Sequence, residues 1–308
     1  MITSIAYRIC VLVLFLTSLY GCSELKNNAI GSNPTSISVH PQAFKSPSSP
    51  DFHGNTVRNA GWEMRDCRQC HGGTYSGSNA ISCMNSGCHM DASGNPKSPE
   101  SCNTCHGNFA AAANDTVSWA PPSSIDGDTS SSARGVGAHQ SHLNGSAMVY
   151  AEPLPCNTCH RVPSNVYDVG HVDSQGPAEV TFVDLRASTP SGGLVPAPSY
   201  DANSMRCSNT YCHGNWRVRK GTSANQFAYS DSVITGNNYS VLWNGGVTEA
   251  ACGTCHGMPP TGHVNFGTSV STCTSCHYLD PATRSGSLDK STHMNGKVDL
   301  FGSEYAFK

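Results

Sequence analysis

Charge and apolar bulk are both scarce in this 308-residue sequence. Only 13% of residues are charged and the formal net charge is -3, so composition gives no support for nucleic-acid binding. Hydrophobic residues reach 37%, low for a chain that must bury a large core of its own side chains. Gly, Pro, Ser, Asn and Thr are abundant instead, and on composition alone parts of the chain would read as disordered. After residue 19 no run is apolar enough to span a bilayer. Spare cysteine is also missing. Of sixteen cysteines, fourteen fall in seven short motifs, and the other two, Cys10 and Cys22, lie in or just after an N-terminal apolar segment. None is left over for a disulfide or a nucleophile. No CxxCK motif or other catalytic constellation stands out.

What is present is a recurring CxxCH. It occurs as Cys67/Cys70/His71, Cys102/Cys105/His106, Cys156/Cys159/His160, Cys252/Cys255/His256 and Cys273/Cys276/His277. In one helical turn, positions i, i+3 and i+4 share a face. Two cysteines so placed can bond the two vinyl groups at one haem edge, and the following histidine is turned under the ring as proximal iron ligand. For a single copy the alternative is a zinc half-site or a redox CxxC. Five copies, with every later cysteine accounted for, point to covalent c-type haem.

Two further sites, Cys83/Cys88/His89 and Cys207/Cys212/His213, read CxxxxCH. Two extra spacer residues add about 200° of helical twist, so one simple turn cannot present both cysteines. The spacers Met84-Asn-Ser-Gly87 and Ser208-Asn-Thr-Tyr211 hold turn formers that could loop the extra residues out. A structural zinc or a disulfide pair is the alternative; the histidine directly after each second cysteine favours haem. Seven histidines lie outside the motifs: His40, His53, His139, His142, His171, His263 and His293. One distal imidazole per haem would use them all. His139 and His142, three apart, share a helix face and suit two neighbouring haems, although one could be a surface histidine. His263, seven residues past His256, is a candidate for the opposite axial position of that motif's haem. Methionine is the competing ligand and would raise the potential.

Residues 1–21 read as a targeting segment, with Arg8 in the n-region and an apolar run from Ile9 to Leu19. It ends in Leu19-Tyr-Gly-Cys22, which resembles a bacterial lipobox and implies cleavage before Cys22 and lipidation there; a plain secretory signal is the alternative. Residues 22–50 read as a flexible tether. Residues 51–109 form a three-haem module, 110–137 a linker or long loop, and 138–308 a four-haem module. The second block repeats the motif order of the first with expanded gaps, as a duplicated module would, and so suggests an array. With roughly forty residues to serve each motif, folding should be coupled to cofactor binding. The expected fold is a mostly irregular multihaem cytochrome c fold: short helices and loops wrapped around haems, few short strands, little conventional core. Alternation predicts a strand over 178–184, and Arg217–Gly246 carries a weak hairpin signal. Gly170-His171-Val-Asp173 followed by Glu179-Val-Thr-Phe182 matches Thr292-His293-Met-Asn-Gly296 followed by Val298-Asp-Leu-Phe301, which predicts a shared histidine-then-strand structure.

The alternation of CxxCH with CxxxxCH resembles the multihaem cytochromes of dissimilatory metal-reducing bacteria. Asp51-Phe-His-Gly54, Gly137-Ala-His-Gln-Ser-His-Leu143, Cys207-Ser-Asn-Thr-Tyr-Cys-His-Gly214 and Cys252-Gly-Thr-Cys-His-Gly-Met-Pro-Pro260 carry the likeness over most of residues 51–300. It implies an electron carrier in extracellular respiration, exported and held at the outer membrane as a lipoprotein, on its periplasmic or cell-surface face. Partners would be other multihaem cytochromes, a porin-cytochrome conduit or extracellular metal oxides, with the membrane met through the lipid anchor. Seven six-coordinate, bis-His, low-spin haems would leave no open iron position, so electrons would hop along a wire and no catalysis is expected. A multihaem reductase with one open-site haem, or a zinc- or disulfide-stapled binding module, are the other readings.

Overall fold

A computed structural model describes residues 39–77, 81–85, 87–144, 151–173, 177–282 and 291–307. The targeting segment, Cys10 and Cys22 fall outside the described residues. The chain divides into two compact units, with the boundary between Ala60 and Gly61.

In the first unit, residues 39–51 run through successive turns into helix α1, His53–Asn59. Phe44 organises them. The His40 ring stacks on it with centroids 4.3 Å apart, and its carbonyl accepts both the backbone N–H (2.8 Å) and the ring Nδ1–H (3.0 Å) of His53.

The second unit is mostly irregular. Its helices are single turns: α2 (Arg68–His71), α3 (His139–Leu143) and α4 (Val270–Cys273). Its strands are two to four residues long. β1 (Ser199–Asp201), β2 (Arg206–Ser208) and β5 (Val241–Leu242) form an antiparallel sheet in the order β1-β2-β5. β3 (Arg217–Arg219) pairs with β4 (Val233–Thr235), within the region of the weak hairpin signal. β6 (Lys297–Leu300) and β7 (Ser303–Ala306) form a C-terminal hairpin. Buried apolar side chains are scattered, among them Met64, Tyr75, Val136, Tyr211, Ile234, Val241 and Leu300, and do not come from one continuous element. Loops therefore depend on polar fastening. Around buried Tyr75, the Glu100 carboxylate accepts from Tyr75 Oη (2.5 Å) and Tyr167 Oη (3.3 Å) and pairs with Arg68. Tyr167 Oη in turn accepts from the Met64 backbone N–H at 3.1 Å. One carboxylate so ties the motif helix α2 to the approach of the Cys102 motif and to the loop before His171.

The strand expected over 178–184 does not form. The Thr181 and Phe182 amides both donate to the Cys159 carbonyl (2.8 and 3.3 Å), and Asp184 N–H donates to Asn157 (3.1 Å). The segment thus directs three of its backbone donors to the Cys156 motif and not to a strand partner. The small repeat is realised through this contact instead. Phe301 N–H donates to the Cys276 carbonyl at 2.9 Å, as Phe182 does to Cys159, and both phenylalanines have positive φ, 50° and 47°. Among the described residues, only the C-terminal copy carries strands. Among the described residues, no helix is long and apolar enough to cross a membrane.

Candidate metal centres

The motifs at 67, 156 and 273 fold as single helical turns, as their spacing requires. Cys67 closes a short 3-10 turn (Arg65–Cys67), and Cys70 and His71 continue in α2. In the motifs at 156 and 273 the histidine amide closes onto the first cysteine's carbonyl, at 3.0 and 2.9 Å, which brings i and i+4 one above the other. The spacer residues Asn103 and Thr158 are buried, and Asn103 Nδ2 donates to the Asn108 and Ala111 carbonyls at 3.0 and 3.1 Å. The longer motif at 207 uses two elements: Cys207 sits on β2, Asn209 turns the chain with φ 58°, and Cys212 and His213 lie in a 3-10 turn, Tyr211–His213. The two extra residues are thus absorbed between strand and turn.

The other long motif departs from that arrangement. Cys83, Cys88 and His89 lie on bends, and neither a strand nor a helical turn carries them. Cys83 is half-buried and anchored, its amide donating to Tyr75 O at 3.0 Å, whereas Cys88 is exposed. Cys88 therefore does not share the enclosed setting of Cys212, its counterpart in the motif at 207. The cause lies in the spacer. Ser82 Oγ accepts from the Met84 and Asn85 amides at 3.1 and 3.0 Å, and Gly87 then takes φ +79°, a conformation that ends a right-handed turn just before Cys88. Ser86, between them, falls outside the described residues. His89 is held from its other side, where its carbonyl accepts from Lys97 N–H at 2.8 Å.

None of the fourteen motif cysteines is paired in a disulfide. Several sit in desolvated surroundings. Burial pushes the Cys159 thiol up to about 12, and those of Cys207 and Cys212 up to about 11.

The histidines are arranged in facing pairs. Ring centroids are 6.4 Å apart for His106 and His171, 6.2 Å for His160 and His139, and 6.3 Å for His213 and His142. They are 6.4 Å apart for His256 and His293, and 6.2 Å for His277 and His263. Each pair joins a motif histidine to one outside the motifs. Two imidazoles sharing one iron need about 4 Å between facing nitrogens, and each ring centre lies about 1 Å behind its nitrogen, so a separation of about 6 Å fits a metal held between them. Direct ring contact would bring the centroids closer.

Hydrogen bonding fixes which nitrogen is left for a metal. Nδ1–H of His106 donates to Trp119 O (2.6 Å), of His160 to Glu179 O (2.6 Å) and of His277 to Asp299 O (2.8 Å). On the opposite side, His139, His142, His171 and His263 donate through Nδ1 to the carbonyls of Val136, Ala138, Val166 and Val264, at 2.6–2.9 Å. His71 and His256 do the same to Ile81 and Gly257. Nδ1–H bonds to backbone carbonyls are the usual second anchor of a ligating imidazole and leave Nε2 for the metal. Burial favours the neutral, ligating form in five of the histidines. It lowers the pKa of His106, His142 and His277, and takes His139 and His213 down to about 4. Among the described residues no three His, Cys, Asp or Glu side chains converge to hold an ion by themselves. Paired imidazoles beside paired thiols therefore fit c-type haem.

Neighbouring sites touch. Cys255 Sγ lies 3.9 Å from His213 Nδ1. The amides of Asn237 and Asn238 donate to Cys255 O and Gly214 O, at 2.9 and 3.0 Å. A Cβ on Gly214 would stand 1.9 Å from Cys255 O, so the two motifs pack backbone to backbone. Tyr211 Oη accepts from Gly296 N–H at 3.1 Å, tying the His213 turn to the loop that carries His293. His139 and His142, on one helical turn, face the histidines of two different motifs.

One pairing differs from the local expectation. His263 stands opposite His277, and His256 is faced by His293. The His263 loop lies along the β3–β4 pair, with Thr261 bridged to Thr235 and His263 to Tyr229, which carries the ring away from its own motif. His71 and His89 lie in the second unit, and His40 and His53 in the first. Sequence reasoning missed Trp243, whose indole lies against both His139 and His142. Nothing in its local sequence, Leu242-Trp-Asn-Gly245, signals that role.

Residues 206–256 match the family model described as the Geobacter CxxxxCH...CXXCH motif. That span holds the motifs at 207 and 252, the two packed through Gly214. No curated protein and no solved structure matches the chain. That family match, together with the motif turns and facing imidazoles, supports recognition of the chain as a multihaem c-type cytochrome.

Proposed function

We propose that this chain is a lipid-anchored heptahaem electron carrier that conducts electrons at the outer membrane or cell surface in extracellular electron transfer. The observation that carries it is the set of five facing histidine pairs at 6.2–6.4 Å. Haem iron, when bound, supplies one-electron redox chemistry. Everything else is the work of the chain. The cysteine pairs would hold each group covalently, Cys83 and Cys88 among them, and the motif histidine would ligate its iron. His171, His139, His142, His293 and His263 would each supply a second imidazole to the group held by the motif histidine they face. Single-turn helices and short loops keep successive sites in contact, as a relay needs. Cys22 carries the lipid anchor, and the residues after it tether the carrier to the membrane. Other multihaem cytochromes, a porin-cytochrome conduit or metal oxides serve as partners.

A haemochrome assay on the purified protein should find seven haems per chain; clearly fewer would overturn the count. The oxidised protein should show low-spin ferric signals alone. A high-spin signal that shifts with nitrite or hydroxylamine would overturn the carrier reading in favour of a reductase.

A further inference from the structure

Trp243 is placed by the strand network of one motif and reaches the ligand helix that serves two. It follows directly on β5, whose Val241 is paired with Cys207 of β2. Its backbone N–H donates to Met205 O at 2.7 Å, and its indole Nε1–H donates to Arg134 O at 2.8 Å. Asn244 Nδ2 adds a bond to Ser132 O at 2.7 Å. The indole is thus fixed at both ends. One part of it meets the His139 ring edge to face, with centroids 4.8 Å apart and planes at 89°. It also lies nearly parallel to the His142 ring, at 6.0 Å and 17°. Gly137 makes room for it: a Cβ there would stand 1.9 Å from Nε1, and φ is +44°.

An Nδ1–H bond sets where an imidazole points but still lets the ring rock about that bond. A rigid aromatic wall on the ring removes the remaining freedom. His139 and His142 each have both restraints, and they share the wall.

We propose that Trp243 is a positioning residue common to two axial sites: it fixes the ring planes of His139 and His142 together, and so mechanically links the centres of His160 and His213. The proposal rests on the haem reading above. Ring orientation controls the electronic ground state of a bis-imidazole ferric centre and the facing of adjacent centres, so a shared wall would hold both settings at once.

The test uses the oxidised holoprotein. W243L, W243F and the control W216L, whose parent indole lies 6.0 Å from His256, are compared by low-temperature EPR and haemochrome assay. In W243L the haem count should be that of the parent while two low-spin signals move, one from the near-parallel pair His139/His160 and one from the near-perpendicular pair His142/His213. W243F should move the same two by less, and W216L should move a different one. An unaltered spectrum in both Trp243 variants at full haem content would overturn the proposal. So would a shift spread over all centres, or the same two signals moving in W216L. If W243L loses haem, W243F decides by the same criterion. A parent protein that carries no haem would instead overturn the proposed function.

Discussion

The imidazole planes of His139 and His160 lie 24° apart, the smallest angle among the five facing pairs. His106/His171, His142/His213 and His256/His293 are held at 86°, 77° and 71°, and His263/His277 at 44°. Near-parallel and near-perpendicular axial imidazoles give ferric haem distinct spectra. The holoprotein should therefore show a rhombic low-spin component together with strongly anisotropic low-field features. H139M should remove the rhombic component and leave the low-field features in place. A spectrum of one uniform class would contradict these angles.

His263 and His277 form a testable pair. H263M should leave all haem attached and raise one midpoint potential, because methionine in place of imidazole favours the reduced state. In a protein already lacking the Cys273/Cys276 attachment site, H263M should change nothing further. A remaining shift in that background, read by potentiometric titration, would return His263 to the His256 centre.

Gly214 separates close packing from backbone strain. It has φ +93° and its missing Cβ would meet Cys255 O at 1.9 Å. Gly94 has a similar φ of +81° with nothing within 4 Å. G94A should cost only the strain of a left-handed residue, about 1 kcal/mol. G214A should cost clearly more and disturb the spectra of the His213 and His256 centres together. Denaturant midpoints and EPR of the two variants check this; equal costs would mean that the two motifs are not in contact.

Glu100 is the fastening point of three segments. E100A leaves the buried Tyr75 hydroxyl without its carboxylate and breaks the links to Arg68 and Tyr167. The expected loss is about 1–3 kcal/mol, measured as a lower chemical or thermal midpoint with haem content retained. Because Arg68 is a third exposed, most of that loss should come from the tyrosine hydroxyl, and R68M should cost less.

The proposed lipid anchoring at Cys22 should be separable from electron transfer. C22S should release the protein from the membrane fraction without altering its haem spectrum. Retention on membranes would argue against lipidation at Cys22.

The motif turns were legible because their geometry is local. Cysteines three apart and a histidine four on share a face in any helical turn, and the chain offers such a turn at 67–71. His139 and His142 could likewise be read as one helix face. The two CxxxxCH motifs were less legible, because four spacer residues can be absorbed in more than one way. A strand and a 3-10 turn do it at Cys207 and Cys212, and plain bends do it at Cys83 and Cys88. The segment 178–184 shows where periodicity misleads. Its alternation is that of a strand, but the amides of Thr181, Phe182 and Asp184 bond to the Cys156 motif. Trp243 was invisible for a related reason: its partners are about a hundred residues away in the chain.

Covalent chemistry in this protein is written in nearest-neighbour spacing. Seven cysteine pairs, each followed by a histidine, state what can be attached and from which side. Axial pairing is not written there. A ring's partner depends on which loops the sheet and turn contacts bring within about 6 Å, and that distance is set through space. Thr261 and Tyr229 carry His263 to His277, Tyr211 draws the Gly296 loop towards the His213 turn, and a single indole holds His139 and His142 in two different planes.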